Sequence, residues 1–404
     1  MNILFVGRFY SPEQLSTIRE ASFGKIGFSN HNFEMSLLKG LSQQDAVTVK
    51  AVSCPSTAAY PQHYRYFSTP SQSYKVFGIP VESCGFCNFF LVKRQSRIIA
   101  WRRIIKKTID SFPAGDVHII ANTSGYEILK AVHSGASFQS RRITITVIIP
   151  DVPSVLTLMQ HYSFFKQILL RRLDKKSTKL TEKSNHLVLL TKQMKDLYRT
   201  PSSYIVMEGL IDPDNKKMTI DLDTKKEVIL YTGTLRKQFG VLNLLAAFKM
   251  VEQKTDAELW ICGSGESDEI IRKEAEKDPR IKFYGLVSSE EAAALQTKAT
   301  ILVNPRTSEG EYTKYSFPSK TLEYLLAKRS VVINRLPGIP QEYFKFVYAP
   351  KNESVEELAA TILEVINAPK DVRESMAKEG YDFVVNKKNA AFQVGRIIKM
   401  IESE

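Results

Sequence analysis

The residues best placed to do chemistry lie in one stretch, 299–333, ATILVNPRTSEGEYTKYSFPSKTLEYLLAKRSVVI. A polar loop at 304–317 holds Asn304, Arg306, Glu309, Glu311, Lys314, Tyr315 and Ser316. It follows a short apolar run, ILV at 301–303, fit for a buried strand. Pro318 suits the first turn of a helix, where a missing N–H costs nothing. Leu322, Leu325 and Leu326 then form an apolar stripe, so the spacing predicts a helix over 318–328. A polar loop feeding a helix N-terminus is a natural phosphate site, because free N–H groups and the helix dipole both face the anion. Glu323 lies further into the helix, placed to accept hydroxyl protons from a sugar beside that phosphate. Phosphate donors plus a carboxylate point to a nucleotide.

Two other loops form a set with this one. Gly233-Thr234-Leu235-Arg236-Lys237-Gln238-Phe239-Gly240 follows one apolar run and precedes a helical one. Its glycines allow tight turns. Arg236 and Lys237 add positive charge, Arg as a bidentate fork and Lys as a point charge. Gly263-Ser264-Gly265 follows another apolar run, and its small residues let a base approach the backbone. Ordinary strand-to-helix turns also favour Gly and basic residues. Three such loops after successive strands of one sheet make a stronger pattern than any one alone.

These loops need strands and helices to position them, and the chain supplies an alternation of both. NILFVG (2–7), VTVKAVS (47–53), VHIIANT (117–123), ITITVII (143–149), HLVLLT (186–191) and YIVME (204–208) read as strands. HNFEMSLLKGLSQQ (31–44) carries Phe33, Leu37 and Leu41 on one helical face, and YEILKAVHSG forms another helix. The pattern restarts at 227–235 and runs through strands at 257–265, 281–287, 301–303 and 331–334, with helices at 242–251 and 290–299. Strands alternating with helices imply parallel sheets with crossover helices. At 404 residues the chain exceeds a usual single core. The expected architecture is therefore α/β, two doubly wound Rossmann-like domains facing a cleft, with ligands at the carboxyl ends of the strands. The expected divisions are 1–208, a polar linker at 209–226, 227–388, and a last helix at 389–404 packing back on the first domain.

Composition sets bounds. Hydrophobic residues make up 43% and charged residues 25%, as in a globular protein. No apolar run approaches the ~18–20 residues that cross a bilayer. MNILFVGRFYSP is too short for a secretory signal and reads as a first strand, so the expected location is the cytoplasm. The formal charge of +13 belongs to the first half, where residues 1–205 hold 27 Lys+Arg against 12 Asp+Glu. It concentrates at 92–107 and 166–183. In the first of these, Ile98, Trp101, Ile104 and Ile105 recur at helical spacing among Arg and Lys. Two readings fit: a membrane-surface helix facing anionic lipid, and a surface helix with its apolar face in the core. No nucleic-acid-binding signature accompanies the charge, so no nucleic-acid partner is expected. Cys84 and Cys87 form a single CxxC without a second pair, weak evidence for zinc or redox chemistry. No carboxylate metal motif is present, and no metal ligand or cofactor is expected.

The order GTLxxxFG, LWICGSG, IKFYGLV and SFPSKTLEYLLAKRSVV resembles a family 4, GT-B fold, retaining glycosyltransferase of the kind that builds bacterial capsule, exopolysaccharide or lipopolysaccharide. The match is strong over about 225–380 and looser in the first half. The resemblance implies a C-terminal domain that binds a nucleotide sugar and an N-terminal domain that binds the acceptor. It also implies metal-independent transfer. Glu323 resembles the second glutamate of the family's E-x7-E motif, which holds the ribose. The first glutamate falls on Tyr315, with Glu311 and Glu309 nearby as substitutes. Ser316, Phe317 and Pro318 match the loop whose backbone approaches the diphosphate, and Ser319 and Lys320 open the helix beside it. The family's GRLxxxKG places Arg and Lys at 234 and 239, where this chain has Thr234 and Phe239. Arg236 and Lys237 carry that charge at neighbouring positions. Gly24 and Gly27 resemble the glycine loop that faces the diphosphate. After the 143–149 strand, where the family often has His, stand Pro150 and Asp151. Asp151 fits a hydrogen bond to the sugar and equally fits a turn or N-cap. His31 and His161 read as structural or surface residues.

The implied donor is a UDP-sugar first and a GDP-sugar second. The implied acceptor is a glycan or a polyprenyl-diphosphate-linked sugar, with contact at the inner face of the plasma membrane through the basic segments. Two rival readings are a nucleotide-sugar epimerase on the same fold and a non-catalytic sugar- or nucleotide-binding scaffold.

Overall fold

The computed structural model describes residues 1–23, 29–137, 140–152, 163–199, 203–213 and 226–403. Gly24, Gly27, His161 and most of the expected linker, 214–225, lie outside the described residues. The chain divides into one unit of Met1–Leu210 with Ala390–Glu404, and a second of Ile211–Asn389.

The first unit is built on β1 (Asn2–Gly7), β2 (Thr48–Ser53), β3 (Ser68–Thr69), β4 (Gln72–Val76), β5 (Ile79–Ser83), β6 (Phe86–Cys87), β7 (Val117–Asn122), β8 (Ile143–Ile149), β9 (His186–Leu189) and β10 (Ser203–Val206). Its helices are α1 (Pro12–Ala21), α2 (Ser29–Ser42), α3 (Lys93–Asp110), α4 (Tyr126–Ala136) and α5 (Phe164–Thr181). The main sheet runs β10-β9-β8-β7-β1-β2-β5-β4. Every residue of β1 is buried, as expected of a central strand covered on both faces. The sheet is not wholly parallel. β4 pairs antiparallel with β5 through a hairpin at Phe77 and Gly78, whose φ angles are 47° and 79°. Two left-handed residues suit the tight turns that join antiparallel strands, and the alternation Gln72–Val76 is too polar to stand out as a strand.

The apolar stripe of the basic segment at 92–107 faces protein. In α3, Trp101, Ile105 and Ile109 are fully buried, and Gly135 of α4 brings its backbone close to the Ile105 side chain. Of the two readings of that stripe, these residues follow the second, an apolar face in the core. What α3 leaves outside is its basic face, with Ile99 exposed. The cysteine pairing also differs from the CxxC reading. Cys84 is buried against Cys54 at the ends of β5 and β2, while Cys87 is half-buried and apart. Among the described residues no cluster has the makings of a metal site. No described helix is long and apolar enough to cross a membrane.

The second unit holds β11 (Val228–Thr232), β12 (Glu258–Cys262), β13 (Ile281–Gly285), β14 (Ile301–Asn304) and β15 (Ser330–Ile333). Its helices are α6 (Val241–Val251), α7 (Asp268–Lys277), α8 (Ser289–Lys298), α9 (Lys320–Leu326), α10 (Val355–Asn367) and α11 (Lys370–Lys387); α12 (Ala390–Glu402) returns to the first unit. The sheet order is β13-β12-β11-β14-β15, all parallel. Strand side chains alternate between two cores. Ile229 and Tyr231 join the cluster of Leu244, Phe248 and Ile362, while Val228 and Leu230 join that of Trp260, Tyr324 and Leu325. Each such fully buried aliphatic side chain contributes roughly 1.5–3 kcal/mol.

α12 packs on α2, its Val394, Ile397 and Ile401 entering the core of Leu37, Leu38 and Leu41. Gly40 makes this approach close, since a Cβ there would lie 2.5 Å from the Ala390 carbonyl oxygen. Gly40→Ala should therefore destabilise the first unit by about 1–3 kcal/mol through overpacking. Urea unfolding followed by circular dichroism will show this as a lower midpoint at unchanged slope.

Candidate functional site

The strand order of the second sheet reverses between β11 and β14, and the loops after these strands meet at its carboxyl edge. Gly240 has φ 77°, and a Cβ there would lie 2.1 Å from the Pro305 carbonyl oxygen. Only glycine lets the 233–240 loop lie on the loop after β14. A Cβ on Gly263 would meet the Gly233 oxygen at 1.7 Å, and one on Gly265 the Leu235 oxygen at 2.6 Å. Leu235 N donates to Ser264 O at 3.1 Å, and Ser267 N to Leu235 O at 3.0 Å. The space beside these two glycines is thus filled by the neighbouring loop. Their first role is to let backbone approach backbone.

Arg236, Lys237 and Thr234 are exposed on this edge. The Lys237 N–H is held by Glu266 at 2.8 Å, and the Gly265 N–H by Asp268 at 2.6 Å. Ser264 is half-buried. The central cation of the edge is Arg306, only 9% exposed. Its guanidinium lies over the rings of Phe239, at 5.2 Å, and Tyr312, at 5.0 Å. Its Nη1 reaches Ser316 Oγ at 3.5 Å, while Nε has no hydrogen-bond partner. Burial pushes its pKa below the usual arginine range. Phe239 occupies the position of the expected lysine, and the charge it lacks stands on its ring face. Sequence spacing assigned that charge to Arg236 and Lys237. The available signal was an arginine two residues beyond a buried strand, between two aromatic residues distant in sequence. Asn334 Nδ2 pins this loop by donating to the carbonyl oxygens of Pro305, at 3.2 Å, and Arg306, at 3.1 Å.

The helix expected at 318–328 is α9, Lys320–Leu326. Pro318 and Ser319 precede it in a tight turn, with Thr321 N bonded to Pro318 O at 2.9 Å. Its seven residues make a small dipole, so side chains carry more of the site's charge than the helix end does. Lys320 Nζ and Glu323 Oε2 pair at 2.6 Å, both partly exposed. Tyr324, fully buried, fixes this pair against the strand. Its hydroxyl accepts from Thr232 N at 3.0 Å, at the last residue of β11. Phe317 is buried against Tyr343, and Tyr315 and Ser316 are half-buried. Glu311 points to solvent, with only a long contact of 4.0 Å to Lys314, and Glu309 is exposed.

In the first unit, Asp151 stands exposed two residues beyond β8. His31 is half-buried against Tyr10. The residue missed there is Glu34, 1% exposed at the carboxyl ends of β1 and β7. Its carboxylate accepts from Arg8 N at 2.6 Å and Asn122 Nδ2 at 2.8 Å. Burial outweighs both bonds and raises its pKa to about 7. The sequence signal was an acid at the head of the stripe Leu37, Leu38 and Leu41.

Residues 226–368 match the family model described as Glycosyl transferases group 1. No curated protein sequence matches the chain significantly. Among solved structures, sucrose-phosphate synthase from Thermosynechococcus elongatus superposes at TM-score 0.61 with 13% identity, covering 100% of this chain and 99% of its own. Anabaena HepE in complex with UDP gives 0.62 with 14% identity, covering 100% of both chains. An E. coli trehalose-6-phosphate structure bound with UDP-2-fluoro glucose gives 0.61 with 12% identity, covering 99% of both. The fold is GT-B-like α/β with Rossmann-like units, and the match to the group 1 glycosyl transferase model lies within the second unit.

Two expectations follow. Tyr324→Phe strands the buried Thr232 N–H and should cost about 1–3 kcal/mol of stability, read from urea midpoints. Glu34 binds its proton more tightly folded, at about 7, than unfolded, at 4.5. Its ionisation therefore penalises the folded state at high pH, and stability returns as pH falls from 7 toward 4.5. Between pH 8 and pH 5 the wild type should gain about 2.5 kcal/mol that Glu34→Gln does not, seen as a wild-type melting temperature that rises relative to the variant's as pH falls.

Proposed function

We propose that the chain is a retaining glycosyltransferase that moves a sugar from a UDP-sugar to a glycan or lipid-linked acceptor in surface polysaccharide synthesis. One observation carries the reading: a buried arginine with a free Nε and a Lys320–Glu323 pair stand on loops that converge at the switch point of a parallel sheet. The structures that resemble this fold include ones in complex with UDP and UDP-glucose, which favours uridine over guanosine.

In this reading the nucleotide separates Lys320 from Glu323. Lys320 turns to a phosphate, and Glu323 accepts hydrogen bonds from the ribose hydroxyls. Ser316 and Phe317 offer backbone to the diphosphate. As the bond to the anomeric carbon breaks, negative charge grows on the leaving oxygen. Arg306, Arg236 and Lys237 stabilise that charge more than they stabilise the intact donor, which is what lowers the barrier. The leaving phosphate takes the acceptor hydroxyl's proton, so no separate base is required and attack occurs on the face the donor leaves. Tyr315, half-buried in the same loop, replaces a carboxylate at the sugar and favours contact through its ring and hydroxyl. Glu311 and Glu309, exposed, are less suited to that role.

Calorimetry with UDP and a thermal-shift panel of nucleotide sugars test the proposal. Glu323→Ala should weaken UDP at least about tenfold, the loss of one good charge-assisted contact. Arg306→Lys should lower donor turnover by about 10²–10³ with UDP affinity changed far less. Unchanged UDP affinity in Glu323→Ala would refute the assignment, and absence of transfer or hydrolysis with every donor would favour a non-catalytic binding protein.

A further inference from the structure

The first unit holds Cys54, Cys84 and Cys87, and the transfer chemistry proposed above uses none of them. Two of the three are neighbours. β2 and β5 run parallel in register, with Ser53 beside Ser83. The ladder continues one residue further, where Cys84 N donates to Ser53 O at 2.8 Å and Cys54 N to Gly7 O at 3.3 Å. Cys54 and Cys84 therefore stand side by side on adjacent strands and present their thiols to the same face. Strands of one sheet lie about 4.8 Å apart, inside the roughly 4.4–6.8 Å between Cα atoms that a disulfide spans. The positions are held firmly. Ser53 Oγ donates to Phe9 O, and Gln14 Nε2 donates to Ser83 Oγ at 2.8 Å. The chain then leaves the main sheet through Gly85, where a Cβ would lie 2.7 Å from Ser71 N. Cys87 belongs to β6, which pairs with β3 in a separate two-stranded sheet.

Donors without acceptors surround the pair. Arg97, on the second turn of α3, is 7% exposed. Its Nη1 pairs with Glu127 at 3.1 Å, and its guanidinium lies 5.5 Å from the centre of the Phe86 ring. Its Nε and Nη2, and Nε1 of the buried Trp101, have no hydrogen-bond partner. Both side chains adjoin Cys54. Buried donors left unsatisfied are rare in native folds. A neutral thiol accepts weakly, whereas a thiolate or the oxygen of a sulfenic acid accepts well. Burial opposes ionisation of Cys54, yet the S–H donated by Cys84 and the charge of Arg97 bring it down to about 7. Cys84 moves the other way, through its bond to Cys54 first and burial second. Arg8 and Lys93 also face the Cys54 charge. One sulfur is thus prepared as a nucleophile, and its neighbour keeps a proton.

We propose that Cys54 and Cys84 form a redox-active dithiol that a small hydroperoxide oxidises to a disulfide. The Cys54 thiolate attacks the peroxide, so that an S–O bond forms and the O–O bond breaks. The oxygen that leaves takes a proton and departs as water or an alcohol. The orphan donors of Arg97 and Trp101 hold the sulfenic acid oxygen. Cys84 then attacks the Cys54 sulfur, the S–S bond forms, the S–O bond breaks, and hydroxide leaves with the Cys84 proton as water. Two thiols lose two electrons and the peroxide gains them. Both cysteines are at most 1% exposed, which bars bulky disulfides from the reaction and leaves it to small oxidants. The proposal does not depend on the transferase reading.

Reduced whole protein treated with hydrogen peroxide, alkylated, digested with trypsin and weighed by mass spectrometry tests this. The expected product joins peptide 51–65 to peptide 76–93, forms equally in Cys87→Ser, and is reversed by dithiothreitol. Cys84→Ser should stop at a sulfenic acid on Cys54, captured by dimedone. The link should form at least tenfold faster in folded than in urea-unfolded protein, because the fold holds the two sulfurs together. Its rate should rise through about pH 7, and Arg97→Met should move that rise upward and slow the reaction about tenfold at pH 7. Arg97→Lys should restore part of the rate. If Arg97→Met does not fold, the dimedone result in Cys84→Ser and the folded-to-unfolded ratio still decide. A bridge confined to peptide 76–93, sulfenic acid on Cys87 first, or equal rates in folded and unfolded protein would each overturn the proposal.

Discussion

The carboxyl edge of the second sheet exists in its present form because three loops touch backbone to backbone. A Cβ on Gly263 would overlap the Gly233 oxygen, and one on Gly240 would overlap the Pro305 oxygen. No side-chain rearrangement relieves such overlaps, since both partners are main chain at the ends of packed strands. The contacts fix the spacing between the loop that carries Arg236 and Lys237 and the loop that carries Arg306. Tyr324 adds the third fixed distance by tying the short helix of Lys320 and Glu323 to the end of β11. A site built this way has little freedom to reorganise as charge develops, which is the condition under which fixed cations stabilise a leaving group best.

Both units place charges where burial makes them costly. Arg306, Arg97 and Glu34 each lose most of their water, and two of the three retain nitrogens without a partner. A fold selected only for stability would fill these positions with apolar groups, because buried ions and polar atoms rarely repay their desolvation. All three lie at carboxyl ends of parallel strands, the region where such sheets bind ligands. Glu34 differs in having its bonds nearly complete. It ties the loop after β1 to β7, and it does so best when protonated.

Much of this was legible in the sequence. The strands of the second sheet, the helices at 242–251, 290–299 and 318–328 and the glycine-bearing loops followed from short apolar runs and helical spacing, and the structure places them within a few residues; the helix Asp268–Lys277 did not stand out, because its one fully buried residue is Ile271. The 320–326 helix was read too long, because Pro318 and Ala327 are compatible with a helix whose ends are set by packing. The β4–β5 hairpin escaped notice since its strands alternate weakly. The stripe of Trp101 and Ile105 could not be assigned from periodicity, which reports that a face is apolar and not what covers it. In the first sheet, the cysteine that matters to Cys84 is Cys54, thirty positions away.

The sequence by itself determined which segments form strands and helices and which loops carry charge, because those follow from contacts between near neighbours and from the chemistry of single residues. Only the tertiary structure decided which charges are buried. Arg306 is ordinary in a polar loop until Phe239 and Tyr312 close over it. Glu34 is ordinary on a helix until β1 and β7 surround it. Desolvation depends on atoms brought together from distant parts of the chain, and local pattern carries no record of them.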